Sequence, residues 1–152
     1  MGPPHSQHLI TEATVVASSS DVGWPAWAHD HRWAWRIESV EPLRVVTLRY
    51  LSDESYRKIR ILDSRLRLFR VVEVRVLGWA GILGWRPGFK GRYRQVEPIL
   101  ELDRQFDLGG AKEYVVGFIE QHPDVYESGQ PVDELSRRIR AASTPRDLID
   151  CL

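Results

Sequence analysis

One segment in the middle of the chain, residues 65–77, alternates apolar and polar side chains with a period of two. This spacing predicts a β-strand, because successive strand side chains point to opposite faces of a sheet. Arg70 falls on the apolar parity, and Phe69 falls on the polar one. We predict a β-bulge near Phe69, which would restore the pattern. Without the bulge, Arg70 would point inward and its charge would need a buried partner.

Shorter segments on both sides extend this strand into a sheet. They span residues 32–40, 43–51, 56–62 and 92–102. Short polar turns, such as Asp63-Ser64, join most of them, which predicts an antiparallel meander. Pro98 lacks a ladder donor, so the last strand is expected at an edge or at a bulge. The sequence therefore predicts an antiparallel sheet of five or six strands over about residues 32–102.

The last third of the chain has helical spacing. Its first apolar stripe comprises Ala111, Tyr114, Val115, Phe118 and Ile119. A second helix is predicted to begin near Pro131, and Thr144-Pro145 predicts the N-terminus of a third. We expect an α+β fold with two or three C-terminal helices packed on one face of the sheet. Residues 1–24 are expected to form a poorly ordered arm or an edge strand within 11–17, and residues 25–152 a single domain.

Several protein classes are excluded by composition. Cys151 is the only cysteine among 152 residues, so disulfide scaffolds and multi-cysteine metal sites are excluded, and we expect a cytoplasmic protein. No apolar run approaches the roughly 20 residues of a membrane-spanning helix, so we expect no membrane partner. The glycines match neither a phosphate-binding loop nor a dinucleotide-binding motif. No cofactor is expected.

The most distinctive segment is the loop at residues 78–91, which is rich in glycine and aromatic residues. Tryptophan, tyrosine and arginine are the residues that dominate protein interfaces. The predicted partner-binding residues are Trp79, Trp85, Arg86, Phe89, Lys90, Arg92 and Tyr93. The same residue types, with Arg94 beside them, could stack bases and hold phosphates. A third interpretation is structural: Trp79, Ile82, Leu83 and Trp85 would plug the open end of the sheet.

Charge is distributed unevenly along the chain although the net charge is zero. Residues 32–94 contain 15 basic and six acidic residues, a balance of +9. Residues 97–134 contain ten acidic and two basic residues, a balance of −8. The two regions could neutralise each other in the fold, or one could meet a charged partner. The candidate acidic partner surface comprises Glu97, Glu101, Asp103 and Asp107.

Catalytic and metal motifs are weak. His29 and His31 lie two residues apart and would share a side of an extended strand, but no cysteine lies near them and no His-Glu-x-x-His motif exists. We therefore predict hydrogen-bonded or exposed histidines, no metal site and no catalytic residues.

Three classes of function follow from these observations. The first is a non-catalytic interaction protein, such as a small inhibitor or immunity protein that neutralises a toxin or enzyme by direct binding. The second is an arginine-rich sheet that binds nucleic acid or a phosphorylated ligand, since guanidinium groups suit phosphate recognition. The basic residues expected on the binding face of that sheet are Arg57, Lys58, Arg60, Arg65, Arg67 and Arg92. The third is an enzyme with an unrecognised site. A protein partner is the first expectation, nucleic acid is the alternative, and the oligomeric state stays open.

Overall fold

An antiparallel sheet forms the centre of the molecule, and the computed structural model describes residues 16–81, 83–84, 92–123 and 131–152. Six strands follow one path, β1-β7-β6-β5-β2-β3, and β4 also pairs with β7. The strands are β1 Val16–Ala17, β2 Ala26–His29, β3 Ala34–Ile37, β4 Val45–Thr47, β5 Arg60–Leu62, β6 Arg67–Trp79 and β7 Tyr93–Gln105. The helices are α1 Leu48–Ser52, α2 Leu108–Gln121, α3 Val132–Ala141 and α4 Pro145–Asp150. The predicted α+β class is confirmed.

Two short strands share the outer edge of β7. β4 pairs with Tyr93–Gln95, and β1 pairs with Leu100–Glu101. β7 is therefore not the edge strand, although Pro98 lies between the two paired segments and opposite Val74 of β6, where no described strand pairs with the outer side of β7. A residue without a ladder donor is tolerated at such a position. Residues 16–17 form the edge strand predicted within 11–17; residues 11–15 lie outside the described residues.

Both faces of the sheet are buried. On one face, Leu62 and Leu68 pack with apolar side chains of α2, α3 and α4, as predicted for the C-terminal helices. On the other face, Phe69 and Val71 pack with residues of β2 and of the turns on either side of β4. The curled sheet therefore separates two apolar cores, and burial of this area is the main stabilising contribution.

The register of β6 and β7 shifts between Leu68 and Phe69, so the bulge predicted near Phe69 is present, but the extra residue is in β7 and not in β6. Leu68 lies opposite Arg104 and Phe69 lies opposite Leu102, so the extra residue is Asp103 of β7. Because both faces are buried here, Leu68 and Phe69 enter different cores without a change of parity in β6. Arg70 stays on the face of Leu68, but its side chain is 42% exposed and pairs with Glu101 at 2.6 Å.

Three of the predicted strands are shorter than expected. Residues 43–51 contain β4 and then α1, because the Thr47 hydroxyl accepts a hydrogen bond from the Tyr50 backbone N–H and starts a helix. Residues 56–62 begin in the 3₁₀ turn Ser55–Lys58, and the segment 32–40 forms a strand only over Ala34–Ile37. β2, which was not predicted, pairs with both β3 and β5.

Candidate functional site

Trp79, at the end of β6, is enclosed by two arginines of the neighbouring strand. The guanidinium carbons of Arg92 and Arg94 lie 3.8 Å and 3.7 Å from the centre of the indole ring. Two groups this close to one ring centre leave no room for each other on the same face, so they stack on opposite faces. Each stacking contact is attractive because the π-faces of the indole carry negative potential.

The loop between β6 and β7 supports this arrangement. Arg92 donates from Nε and Nη2 to the Leu83 carbonyl oxygen, at 3.0 Å and 2.9 Å. Gly84 has a φ of +90°, and a Cβ at this position would lie 2.6 Å from Cε3 of Trp79. Only glycine allows this close approach without strain. The orientation of Trp79 is thus fixed by backbone as well as by side chains.

Exposed aliphatic side chains lie on the same hairpin as the tryptophan. The large apolar residues exposed within the described ranges are Trp33, Leu48, Val76, Leu77 and Leu83. Three of these five belong to the same end of the β6–β7 hairpin, where Leu77 is 58% and Leu83 66% exposed. We call this surface the hairpin end; it comprises Val76, Leu77, Trp79, Leu83, Arg92 and Arg94. Clustered exposed apolar side chains mark sites of interaction.

The predicted partner-binding residues are only partly described. Trp79 and Arg92 lie in the hairpin end, whereas Tyr93 lines a separate pocket on the sheet face opposite the C-terminal helices. Trp85, Arg86, Phe89 and Lys90 lie outside the described residues. The plug interpretation is wrong for Leu83, which faces solvent. Sequence reasoning missed Val76 and Leu77, because the periodicity of a strand does not show at which residue the hairpin extends beyond the elements that cover it.

Most of the predicted acidic surface is paired within the chain. Glu97 accepts hydrogen bonds from Arg44 Nε at 3.0 Å and from the Ser19 hydroxyl at 2.9 Å. Glu101 binds Arg70. Asp107 caps α2 by accepting from the Gly110 backbone N–H at 2.6 Å. Asp103 is exposed, and of the four carboxylates it has the fewest partners among the described residues. An acidic partner surface stays a prediction.

Several arginines predicted for a phosphate-binding face are also engaged. Arg67 binds the buried carboxylate of Asp63 at 2.8 Å, and Arg57 pairs with Glu54 at 3.1 Å. Arg60 donates to the carbonyl oxygens of Arg57 and Ile59. These guanidinium groups satisfy local partners, which reduces the number of donors available to a phosphate backbone.

His29 is buried among aromatic rings, and His31 is exposed. The ring of His29 donates from Nδ1 to the Asp30 carbonyl oxygen at 2.7 Å, so Nε2 accepts from the Tyr114 hydroxyl at 2.5 Å. Burial lowers the pKa of His29, and burial raises the pKa of Tyr114. Both groups are neutral near pH 7, and their bond joins β2 to α2. The described residues contain no group of three His, Cys, Asp or Glu placed to hold a metal ion.

A pocket of about 270 Å³ lies on the sheet face opposite the C-terminal helices. Its aromatic lining residues are Trp35, Tyr50, Tyr56 and Tyr93. Asp30 supplies a carboxylate, and aliphatic side chains such as Leu43, Val71 and Val74 complete the lining. An apolar pocket with few polar groups is the usual form of a small-molecule site. Sequence reasoning missed it, because its residues come from distant segments.

Comparison with models of protein families, with curated proteins and with solved structures finds no match to this chain. No helix within the described ranges has both the length and the apolar character needed to cross a membrane. The hairpin end and the pocket are therefore the two candidate sites of this protein.

Proposed function

We propose that the protein is a non-catalytic interaction protein whose hairpin end docks on a protein partner. The observation that carries the proposal is the position of Leu77 and Leu83, both more than half exposed, beside a tryptophan held by two guanidinium groups. Exposed aliphatic side chains gain free energy when a partner removes them from water. Trp79 loses little freedom on binding because it is already ordered, which favours affinity.

The partner surface is expected to be apolar at its centre and acidic around it. Arg75 is exposed on β6, and Arg92 and Arg94 flank Trp79, so the hairpin end has several positive charges and no carboxylate among its defined residues. Opposite charge on the partner would steer association and select against basic proteins. A small inhibitor or immunity protein that covers the active site of an acidic toxin or enzyme fits this description.

The same geometry argues against nucleic acid as the ligand of the hairpin end. Base stacking requires an open aromatic face, and both faces of Trp79 carry a guanidinium group. Aliphatic side chains such as Leu77 and Leu83 add apolar area but no stacking platform. The arrangement therefore supports a protein partner over single-stranded nucleic acid.

The proposal is tested by affinity capture from an extract of the native cells with tagged wild-type and variant proteins. The test variant carries Leu77→Ser and Leu83→Ser, and the control carries Leu48→Ser in α1, where the leucine is 41% exposed. We expect wild type and control to retain one stoichiometric protein, and the double variant to retain at least about tenfold less. Circular dichroism checks that all three proteins are folded.

Three results would overturn the proposal. They are equal capture by the double variant, absence of any stoichiometric protein, and capture only of nucleic acid that is released by nuclease and by rising salt. The last result would favour the arginine-rich alternative, since phosphate contacts weaken steeply as salt increases.

A further inference from the structure

The pocket on the sheet face opposite the C-terminal helices has walls that suit a small organic cation, and we propose that it binds an alkylated ammonium group. This site is separate from the proposed docking of the hairpin end. The class of ligand follows from the charge, the aromatic residues and the size of the pocket.

The charge of the pocket favours a cation. The chain has 21 lysines and arginines, but among the described residues that line the pocket the only charged side chain is Asp30. Oδ1 of Asp30 accepts hydrogen bonds from the backbone N–H groups of Arg32 and Trp33, at 2.7 Å and 2.6 Å. Oδ2 makes no hydrogen bond to any described residue. This arrangement fixes the carboxylate while leaving one oxygen for a positively charged ligand.

The aromatic walls supply the second attraction. Tyr50 and Tyr56 have ring centres 6.3 Å apart and planes tilted by 52°, so the two rings form a corner. Trp35 and Tyr93 also line the space. Aromatic rings around a cavity bind quaternary and alkylated ammonium groups through their negative faces. Burial, and then the charge of Asp30, raises the pKa of Tyr50, so this phenol stays neutral at physiological pH.

The size and the remaining lining fit a ligand with methyl groups. The volume of about 270 Å³ equals roughly nine times the share of one water molecule in the liquid. Val46, Ile59 and Val74 contribute methyl groups to the walls. A trimethylammonium group presents methyl groups to such walls and carries its charge among them. A compact, strongly hydrated inorganic cation would gain less binding free energy from contact with these apolar walls.

The test compares choline with 3,3-dimethyl-1-butanol, which has the same shape without the charge, by isothermal titration calorimetry on the full chain. We expect choline to bind at least about tenfold more tightly than the neutral alcohol. Asp30→Asn keeps a side-chain oxygen that accepts from the backbone N–H groups of Arg32 and Trp33 and removes the charge, so it should weaken choline binding about tenfold. Asp103→Asn, on the exposed bulge of β7, is the matched control and should leave binding unchanged.

A second pair of variants separates the aromatic face from the hydroxyl. Tyr50→Phe keeps the ring and should retain choline binding, whereas Tyr50→Leu should weaken it. Equal affinity for choline and the neutral alcohol would overturn the proposal, as would unchanged choline binding in Asp30→Asn. Absence of choline binding, or preferential binding of acetate or inorganic phosphate, would overturn it equally. Thermal unfolding of each variant shows that the pocket is intact.

Discussion

Asp63 illustrates how a single residue organises this fold. Its fully buried carboxylate accepts hydrogen bonds from the backbone N–H groups of Gly23, Arg65 and Arg67, and from the Arg67 guanidinium. The sequence predicts a turn at Asp63-Ser64, and the structure has one. The role of the carboxylate was not predictable, because Gly23 lies 40 residues away in sequence. A buried charge satisfied in this way fixes the position of a turn.

We expect the buried His29 to make the stability of the protein depend on pH. Burial lowers its pKa in the folded state below the ordinary value of 6.5, so the unfolded chain binds a proton more readily than the folded one. The stability contribution is therefore complete above about pH 6.5 and is lost as the pH falls toward the folded-state pKa. We expect His29→Gln to reduce the loss of unfolding free energy between pH 7 and pH 5. Urea denaturation at several pH values measures it.

His31 provides the matched control because it is exposed in the turn that follows β2. His31→Gln should have the same pH dependence as wild type. If His29→Gln lost stability with acidification as steeply as wild type, His29 would not be the group that titrates.

The elements that the sequence predicts well are those with long periodic patterns. β6, β7 and α2 each extend over 13 or 14 residues, and their apolar spacing follows from burial on a defined face. β2 was missed because it is four residues long and fully buried, so it has no polar alternation. α1 was missed because the β-branched residues Val45 and Val46 favour a strand. The next five residues form a helix because the Thr47 side chain caps its N-terminus.

Two glycines should respond in opposite directions to replacement by alanine. Gly84→Ala forces a Cβ against Trp79 at a left-handed φ, and we expect it to lower the free energy of unfolding by about 1–3 kcal/mol. Gly117→Ala lies within α2, where a Cβ would meet no atom within 4 Å. It should raise the unfolding free energy by about 0.5–1 kcal/mol. Chemical denaturation measures both, and a stable Gly84→Ala variant would contradict the close packing of the hairpin end.

At the scale of the whole molecule, part of the segregated charge is neutralised by folding. Arg44 and Arg70 belong to the basic region, and they bind Glu97 and Glu101 of the acidic one. Neutralisation of the basic region by the acidic one was one of the two interpretations of the sequence, and these two ion pairs confirm it for the four residues involved. Among the described residues, no carboxylate pairs with Arg92 or Arg94, so their positive charge persists at the hairpin end.

The two candidate sites differ in how far they could be predicted. The composition of residues 78–91 indicates part of the hairpin end, because two tryptophans, one arginine and five glycines lie within this one segment. The pocket gathers Asp30, Trp35, Tyr50, Tyr56 and Tyr93 from separate parts of the chain. Only the curl of the sheet brings these side chains together, and no local spacing encodes it.

Site-specific photo-crosslinking tests the docking of the hairpin end most directly. A photoreactive phenylalanine derivative is placed at Leu77 in one protein and at Leu48 in another, and each is irradiated in extract of the native cells. We predict that position 77 forms a covalent adduct with one protein partner and that position 48 does not. An adduct of equal yield at position 48, or none at position 77, would contradict the account.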